Sequence, residues 1–403
     1  MGDTRIIKLL ILSGLSGGLK DRGKLLHVNC IGTSSKGKSS VQEHVSLIFD
    51  KVDTATSSSA KTLFYQTGEN KLVDGGIIRL DEAEGSDMLV IERALTDRNK
   101  TLPRHKTVSE DKKYAEFTIS QINAVWRNSV NPPKDEQVNN RYVIVNVNES
   151  AEQDRRVFER QIAKMCYGKD FDTEENEDFK IAKAITNKIK EEPINVMIPY
   201  GFAVFSSNIE NRRSTEKFFA IVIASCYCYR YQRQHIKDIY GKEWCMATRK
   251  DFEVAREIWG LLAKHEIAQV RFEDLEVLKV INQRTKGSSI NRNEIGEILN
   301  MGTMKVKRII DRLIDLELVN YEQLPAHNQF TYWKCPKGES SIKELTEGFN
   351  FNLDYNKLTE ADMKNVLFNT LTPDSRQKMF KKEEIEKIKF WDIIIYLDLP
   401  TDD

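Results

Sequence analysis

The chain has 403 residues, of which 40% are hydrophobic and 30% charged, and 61 basic side chains balance 61 acidic ones. This composition is typical of a globular protein of two or three domains, and it excludes a disordered chain and one drawn to nucleic acid by its overall charge. The apolar runs are shorter than the ~18–20 residues of a membrane span, so no membrane partner is expected. Six cysteines without a C-x-x-C pair indicate reduced thiols and a cytoplasmic location.

The first predicted elements surround a phosphate-binding loop. Residues 4–16 have helical spacing and end at Gly17 and Gly18, and a short apolar run at 25–31 predicts a buried strand. The sequence GTSSKGKS then fits G-x-x-x-x-G-K-[ST] at every fixed position, and helical spacing follows it. Strand, glycine loop and helix N-terminus converge on an anion. We therefore predict an ATP phosphate site made of Gly32, Thr33, Ser34, Ser35, Lys36, Gly37, Lys38, Ser39 and Ser40.

Lys38 and Ser39 of this loop, together with the end of a second strand, predict where the phosphates and Mg²⁺ bind. Lys38 would reach the β- and γ-phosphates, and the Ser39 hydroxyl would hold Mg²⁺. The run 71–80 ends in an apolar strand, and Asp81 and Glu82 follow it. This position predicts Asp81 as a second Mg²⁺ ligand and Glu82 as the group that activates water. Without the phosphate loop, the same two carboxylates would be interpreted as a solvated strand end.

The segment 98–113 is polar and basic, and Pro103 excludes a continuous helix through it. It is therefore predicted to be a loop that follows a helix at 88–96. Arg104 and Lys106 lie nearest the predicted tip of this loop. Basic side chains at such a tip contact phosphates whatever the base sequence, so we predict that these two grip the backbone of single-stranded DNA.

The alternating run 114–126 predicts a strand beside the one that ends at Asp81. Asn128 follows at the tip of this strand, where a side-chain amide could orient the attacking water. Ordinary turn chemistry explains Asn128 equally well, since Pro132 and Pro133 follow closely. Both interpretations stay open at this point.

The middle of the chain is mostly helical. Ser150 starts a capping-box pattern, and helical spacing recurs at 179–190, 214–234 and 252–265. These helices predict a lid packed beside the nucleotide fold.

Residues 271–335 have a different pattern. Helices are predicted at 272–282, 292–300 and 304–319, and alternating residues around a Pro-centred turn predict a hairpin. This order is typical of a winged helix-turn-helix. The last helix has a basic face made of Lys305, Lys307, Arg308 and Arg312. A winged helix used only for protein docking is the alternative, and the basic face favours DNA binding.

The predicted fold class is α/β, a P-loop NTPase with a parallel sheet and a helical lid, followed by a winged helix-turn-helix and a helical tail. We predict the ATPase core with its leading helix at 1–165, the lid at 166–268, the winged helix at 269–336 and the C-terminal tail at 337–403. No internal repeat is visible.

Several stretches resemble the ATPase and winged-helix half of primase-helicase proteins carried by phages, plasmids and integrated elements. They are GTSSKGKS, GIIRLDEAEG, RYVIVNVNESAEQDRR and VMIPYGFAVF with the NRRSTEKFF helix, within residues 8–335. The resemblance implies an AAA+-like P-loop NTPase that forms a homo-oligomeric ring, a hexamer, on DNA in a prokaryotic cell or virus-infected host. It makes Arg141, from a neighbouring subunit, and Arg213, from the lid, candidates for reaching the γ-phosphate. One departure is Ser35, where the common loop has a glycine.

The leading hypothesis is therefore a DNA-dependent ATPase that acts as a ring helicase or translocase in the replication of a mobile element. Its cofactors would be ATP and Mg²⁺, and its partners single-stranded DNA in the ring, duplex DNA at the winged helix and a replication protein such as a primase. The alternative is an ATP-switched DNA-binding initiator or regulator that does not unwind DNA. A small-molecule kinase is a third hypothesis, and no stretch of the sequence nominates its acceptor pocket.

Overall fold

The computed structural model describes residues 4–19, 21–32, 37–56, 75–81, 86–97, 104–108, 114–118, 122–130, 135–147, 151–167, 177–206, 212–266, 272–324, 329–339, 351–372 and 377–394. The chain forms two compact units. The first comprises Met1–Trp259 and Phe351–Asp403, and the second comprises Gly260–Asn350.

The helices and strands of the described residues are numbered here in chain order. The helices are α1 Thr4–Ser16, α2 Lys38–Ser46, α3 Ser86–Leu95, α4 Glu136–Asn139, α5 Ala151–Tyr167, α6 Glu177–Lys190, α7 Arg212–Cys228, α8 Arg249–Glu266, α9 Phe272–Asn282, α10 Arg292–Leu299, α11 Thr303–Asp315, α12 Glu360–Asn369, α13 Lys382–Glu386 and α14 Phe390–Ile394. The strands are β1 His27–Ile31, β2 Val52–Thr56, β3 Ile77–Asp81, β4 Arg104–Val108, β5 Tyr114–Thr118, β6 Ala124–Ser129, β7 Tyr142–Asn146, β8 Asn195–Met197, β9 Val204–Ser206, β10 His235–Lys237, β11 Glu243–Met246, β12 Ile290–Asn291, β13 Val319–Leu324, β14 Gln329–Lys334 and β15 Phe351–Leu353.

The first unit is built on a five-stranded sheet in the order β2-β3-β6-β1-β7. Every neighbouring pair in it is parallel, so the carboxyl ends of all five strands meet at one edge of the sheet. Apolar side chains fill the strands, as expected of a parallel sheet covered on both faces. Val28, Trp126 and Tyr142 are fully buried. This edge of the sheet is therefore a rigid platform for whatever side chains end the strands.

Helix α1 is fixed to the start of the central strand by buried serine hydroxyls. Ser13 Oγ donates to the Leu26 carbonyl at 2.5 Å and accepts from the Trp126 indole at 2.9 Å. Ser16 Oγ accepts from the Leu26 amide at 3.1 Å. These bonds satisfy backbone groups that β1 does not use, so the leading helix is part of the nucleotide domain.

The rest of the first unit contains short sheets around an aromatic core. β11 pairs with β8 and β10, and β9 pairs with β15. Phe218 of α7 stacks on Phe351 of β15 with ring centroids 4.1 Å apart, and it meets Phe252 and Trp259 edge-on. Offset and edge-on rings stabilise a core beyond their buried area. The chain from residue 351 onward therefore returns to the first unit.

Three segments differ from the sequence prediction. Residues 104–108 were predicted to be part of a loop, and they form β4, which pairs antiparallel with β5. The strand predicted at 114–126 is two strands, since β5 and β6 lie in different sheets. The predicted helical lid and helical tail also contain the short strands β8–β11 and β15. Strand β4 and the three-residue strands have too little apolar alternation for the sequence to reveal them.

The second unit packs α9, α10 and α11 against the sheet β12-β14-β13. Asn291 caps α10: its side chain accepts from the amides of Asn293 and Glu294, and the Glu294 carboxylate accepts from the Asn291 amide at 3.0 Å. This capping box satisfies backbone amides at the start of α10. Val306, Ile309, Ile310 and Leu313 bury one face of α11 in the core of this unit. Its opposite face is therefore presented to solvent.

Within the ranges given above, no helix has the length and apolar character needed to cross a bilayer.

Candidate nucleotide site

The flanks of the predicted phosphate loop lie at the carboxyl end of β1. Gly32 follows this strand, and Gly37 precedes α2 with a φ of 83°, a left-handed conformation that favours glycine. Lys38 and Ser39 form the first turn of α2. The side chains predicted to cradle phosphate between these flanks, Thr33, Ser34, Ser35 and Lys36, lie outside the described residues.

The ammonium group of Lys38 crosses the mouth of the loop. Its Nζ lies 2.7 Å from the carbonyl oxygen of Gly32. The bond joins the two ends of the loop, so the positive charge is held where an anion would enter. An anion that binds between the loop amides can take over this ammonium from the carbonyl.

Strand order brings three of the predicted site residues together. β3 and β6 are neighbours, and Asp81 pairs in register with Asn128. Asn128 Nδ2 lies 2.5 Å from Asp81 Oδ1 and 3.4 Å from Ser39 Oγ. A hydroxyl of the phosphate-loop helix, a carboxylate and an amide therefore meet at the carboxyl edge of the sheet.

The chemistry of this cluster fits Mg²⁺. Hydroxyl and carboxylate oxygens are hard ligands, and Mg²⁺ is usually held by few protein groups together with waters and phosphate oxygens. Asn128 is almost fully buried, and its Oδ1 has no hydrogen-bond partner among the described residues. No group of three His, Cys, Asp or Glu side chains suited to a metal occurs in the described part of the chain. Ser39 and Asp81 carry the hydroxyl and carboxylate oxygens of the cluster that could hold such an ion.

Arg79 fixes the orientation of Asp81. Its Nη2 lies 3.2 Å from Asp81 Oδ2, and both side chains are mostly buried. With Asn128 on the other oxygen, Asp81 is held on both sides. Sequence reasoning did not select Arg79; its only signal is a charged residue inside an apolar strand.

A second buried charge pair lies beside the cluster and was also missed. Glu92 of α3 is fully buried, and its Oε1 lies 3.3 Å from Nε of Arg127, the residue before Asn128. Burial raises the pKa of Glu92 to about 7, although Arg127 and a hydrogen bond from Tyr142 oppose the rise. The sequence signal was again a charged residue in a buried strand.

The arginines predicted to reach the γ-phosphate are only partly described. Arg141 precedes β7, is partly exposed, and donates from Nη1 to the carbonyl of Arg93. Arg213 lies in the first turn of α7, and its side chain is outside the description. Glu82, the predicted base, also lies outside the described residues.

Two basic surfaces carry the residues predicted to contact DNA. In the first unit, Arg104 and Lys106 are exposed on β4, and their spacing of two places them on one face of the hairpin β4–β5. In the second unit, Lys305, Lys307 and Arg308 are exposed on α11.

Arg312 differs from the other three basic residues of α11. Its guanidinium binds both oxygens of Asp274 on α9, with Nε 3.3 Å from Oδ2. Asp274 is almost fully buried. Arg312 therefore joins two helices of the second unit, and most of its donors face that contact.

The five-stranded parallel sheet, the loop motif at the end of β1 and the Ser39–Asp81–Asn128 cluster define the class of the first unit, a P-loop NTPase fold, which is a nucleotide-binding fold. Residues 1–192 are similar to a family model described as the MTBMA_p00010 P-loop domain. That match covers the phosphate loop and all five strands of the central sheet.

Comparisons over the whole chain do not extend the assignment beyond the P-loop fold of the first unit. No curated protein matches the chain significantly. Among solved structures, the A-form apo structure of the NrS-1 C-terminal region, residues 305–718, is 11% identical and covers 83% of this chain and 75% of that one, with a TM-score of 0.24. A TM-score of that size does not establish a shared fold.

Proposed function

We propose that the protein is a DNA-dependent ATPase of the AAA+ type, working as a ring helicase or translocase in the replication of a mobile element. The observation that carries the proposal is the strand order at the nucleotide site. β6, whose last residue but one is Asn128, lies between the phosphate-loop strand β1 and the carboxylate strand β3. The Asn128 amide lies within reach of both Ser39 and Asp81, and this position supports a role in hydrolysis as well as in binding.

The chain's own residues divide the work of hydrolysis. Lys38 would leave the Gly32 carbonyl for the β- and γ-phosphates, and Ser39 and Asp81 would hold Mg²⁺, which neutralises charge on the phosphates when bound. Glu82 would accept a proton from the attacking water. Asn128, held on Asp81, would orient that water through its unsatisfied amide oxygen.

The hairpin β4–β5 supports the DNA part of the proposal. It exposes Arg104 and Lys106 on one face, and in the chain it lies between β3, which ends in Asp81, and β6, which contains Asn128. Contacts of such residues with phosphates are independent of base sequence, as a motor that steps along DNA requires. A change in the position of the hairpin on binding DNA would be transmitted along the chain to both β3 and β6.

The ring is proposed because it would supply an arginine in trans. Arg141 is partly exposed and is held by a main-chain carbonyl, a contact that it could exchange for a neighbour's γ-phosphate. Arg213 would act in cis from the lid. An arginine that stabilises charge in phosphoryl transfer contributes rate factors of about 10³ or more. A hexamer with single-stranded DNA in its centre is the assembly that we propose.

The second unit is proposed to be a winged helix that binds duplex DNA. The order of three helices and a hairpin, with Lys305, Lys307 and Arg308 exposed on the third helix, supports this assignment. The same surface supports the second candidate, an ATP-switched initiator or regulator, because a basic helix on its own core could bind one site without any motor.

Hydrolysis assays on the full chain separate the two candidates. The motor predicts ATPase activity stimulated by random single-stranded DNA, and loss of stimulation in Arg104→Ala/Lys106→Ala with basal hydrolysis retained. The matched control is Lys305→Ala/Lys307→Ala, which should keep the stimulation. The regulator predicts the reverse, with a response only to one duplex sequence.

Assembly is tested on the same preparations. Native mass spectrometry with ATP and single-stranded DNA should show a closed ring, and mixing Arg141→Ala with Glu82→Gln protein should recover activity at mixed interfaces. A monomer under all conditions, with no recovery on mixing, would overturn the ring.

A further inference from the structure

The buried pair Glu92–Arg127 joins α3 and β6, the two elements that flank the proposed DNA hairpin in the chain. Helix α3, which carries Glu92, begins soon after Asp81 and ends shortly before the hairpin strand β4. The other end of the hairpin, β5, leads into β6, which carries Arg127, so the chain joins the hairpin to both elements of the pair. Glu92 is the buried acidic side chain through which α3 contacts β6.

The partner of Glu92 adjoins the residue that would orient water. Arg127 immediately precedes Asn128 on β6. The carbonyl oxygen of Arg127 also accepts a hydrogen bond of 3.1 Å from Gln42 Nε2 on α2, the helix that follows the phosphate loop. A shift of Arg127 would therefore displace Asn128 and would also change a contact with α2.

The carboxylate of Glu92 is incompletely bound. Arg127 approaches Oε1 at 3.3 Å and the Tyr142 hydroxyl approaches the same oxygen at 3.5 Å. Oε2 is buried with no hydrogen-bond partner among the described residues. A buried oxygen without a hydrogen bond raises the free energy of this arrangement. The free energy of DNA binding would then be enough to favour another contact for Glu92.

The outer side of α3 is held by contacts that can change. Arg93 pairs with Asp135, and the Arg93 carbonyl accepts from Arg141. Arg93 is about half exposed, so this outer pair is weak in water. The contact made by Glu92 is the buried ion pair between α3 and the sheet among the described residues.

We propose that Glu92 is a positioning residue that couples DNA bound at the hairpin β4–β5 to Asn128, acting through its ion pair with Arg127. The inference rests on the proposed function and assigns the route by which DNA regulates the site. DNA at the hairpin shifts α3, the charge on Glu92 draws Arg127 with it, and Asn128 takes the orientation that hydrolysis needs.

The charge of Glu92 is required for this coupling. The described groups that face the carboxylate are Arg127 from β6 and Tyr142 from β7, and the pKa of Glu92 is raised to about 7 because burial outweighs both. The ion pair is accordingly formed above neutral pH and lost below it. The wild-type response to DNA should follow this titration.

The experiment measures ATPase rates of the full chain with and without random single-stranded DNA, at about pH 6 and about pH 8. Wild type should show a ratio of stimulated to basal rate that is larger at the higher pH by roughly fivefold or more, the usual size of coupling between sites. Glu92→Gln, which keeps the shape and the bond from Tyr142, should show a low ratio at both. Arg127→Lys should keep part of the response.

Two further measurements separate coupling from folding and binding. Glu92→Gln should bind the hairpin's DNA and a fluorescent ATP analogue with wild-type affinity within about twofold, so that kcat changes and KM does not. Glu257→Gln removes a carboxylate from an exposed pair with Lys8 and should retain the wild-type ratio at both pH values.

The outcomes are distinct. If wild-type ATPase activity does not respond to DNA at either pH, the proposed function is wrong and the inference falls with it. If wild type responds and Glu92→Gln responds equally with the same pH profile, only the inference is overturned. If Glu92→Gln does not fold, Arg127→Lys decides: a wild-type pH profile with an undiminished ratio in that variant also overturns it.

Discussion

Two buried arginine–carboxylate pairs in the first unit differ in how completely the carboxylate is bound. Asp251 accepts bonds of 2.9 and 2.8 Å from Arg233, 2.9 Å from the Ser225 hydroxyl, and 2.8 and 3.0 Å from the amide and hydroxyl of Thr248. Glu92 has one ion-pair contact and one long bond from a tyrosine. Both carboxylates are fully buried.

The comparison separates a scaffold from a movable part. All five bonds must break if Asp251 is to move, so this carboxylate fixes α7 and the segment before β10 to the start of α8. Glu92 has few bonds to lose if its side chain moves. A saturated buried network specifies one structure, whereas an incompletely satisfied one allows a second arrangement. The predictions below test this difference, from the largest expected effect to the smallest.

Asp251→Asn should reduce the free energy of unfolding of the first unit by about 3–5 kcal/mol, because it leaves Arg233 buried without a counter-charge. Urea denaturation followed by circular dichroism measures the change. Glu92→Gln is the matched comparison, since it also neutralises a buried carboxylate beside an arginine. A loss for Glu92→Gln as large as that for Asp251→Asn would show that the two pairs do not differ as we describe.

The pH dependence of stability should distinguish Glu92 from its neutral variant. The folded pKa of Glu92, about 7, lies above the ordinary value of 4.5, so the folded protein binds a proton that the unfolded chain releases. Stability contributed by this group is therefore present at low pH and is lost as pH rises through 4.5 to 7. Wild type should lose about 3 kcal/mol over that interval relative to Glu92→Gln, with no further change above it.

Denaturation of both proteins at several pH values gives this difference directly, because other titrating groups are common to both and cancel. A constant difference across the interval would mean that Glu92 stays ionised in the folded protein.

Much of the nucleotide site could be predicted from local sequence, because its chemistry lies at strand ends. The glycine loop, Asp81 after an apolar run and Asn128 at a strand tip are each visible in a few consecutive residues. Asp81 and Asn128 come together because β3 and β6 are neighbours in the parallel sheet. The ring arginines stay predictions, since a contact in trans is not a property of one chain.

The Glu92–Arg127 pair could not be predicted from the sequence, for a physical reason. Glu92 and Tyr142, which share one oxygen contact, are 50 residues apart in sequence, and α3 meets both β6 and β7 only in the folded sheet. Strand β4 of the hairpin was also missed, because its polar and basic sequence lacks apolar alternation. Long-range packing of this kind leaves no periodic signal in the sequence.

Arg312→Ala extends the comparison to the second unit. Asp274 is buried and its partner Arg312 is one-third exposed, so water can partly replace the guanidinium. We expect a loss of about 1–3 kcal/mol in the unfolding of this unit, less than for Asp251→Asn. Lys307→Ala is the matched control, with little effect on stability and a reduction of about one in the salt slope of duplex binding. If Arg312→Ala leaves stability unchanged and reduces only DNA affinity, Arg312 belongs to the DNA surface.

The smallest effect is expected at an exposed pair on the first unit. Lys8 Nζ lies 3.0 Å from Glu257 Oε2, between α1 and α8, and about half of each side chain is exposed. Water solvates both charges well when they separate, so the ion pair adds little to the stability of the folded protein. Glu257→Gln should change the free energy of unfolding by less than about 1 kcal/mol, and salt should reduce that difference further. A larger effect would mean that distance between charges, and not burial, determines the strength of ion pairs in this protein, and the contrast between Asp251 and Glu92 would then need another cause.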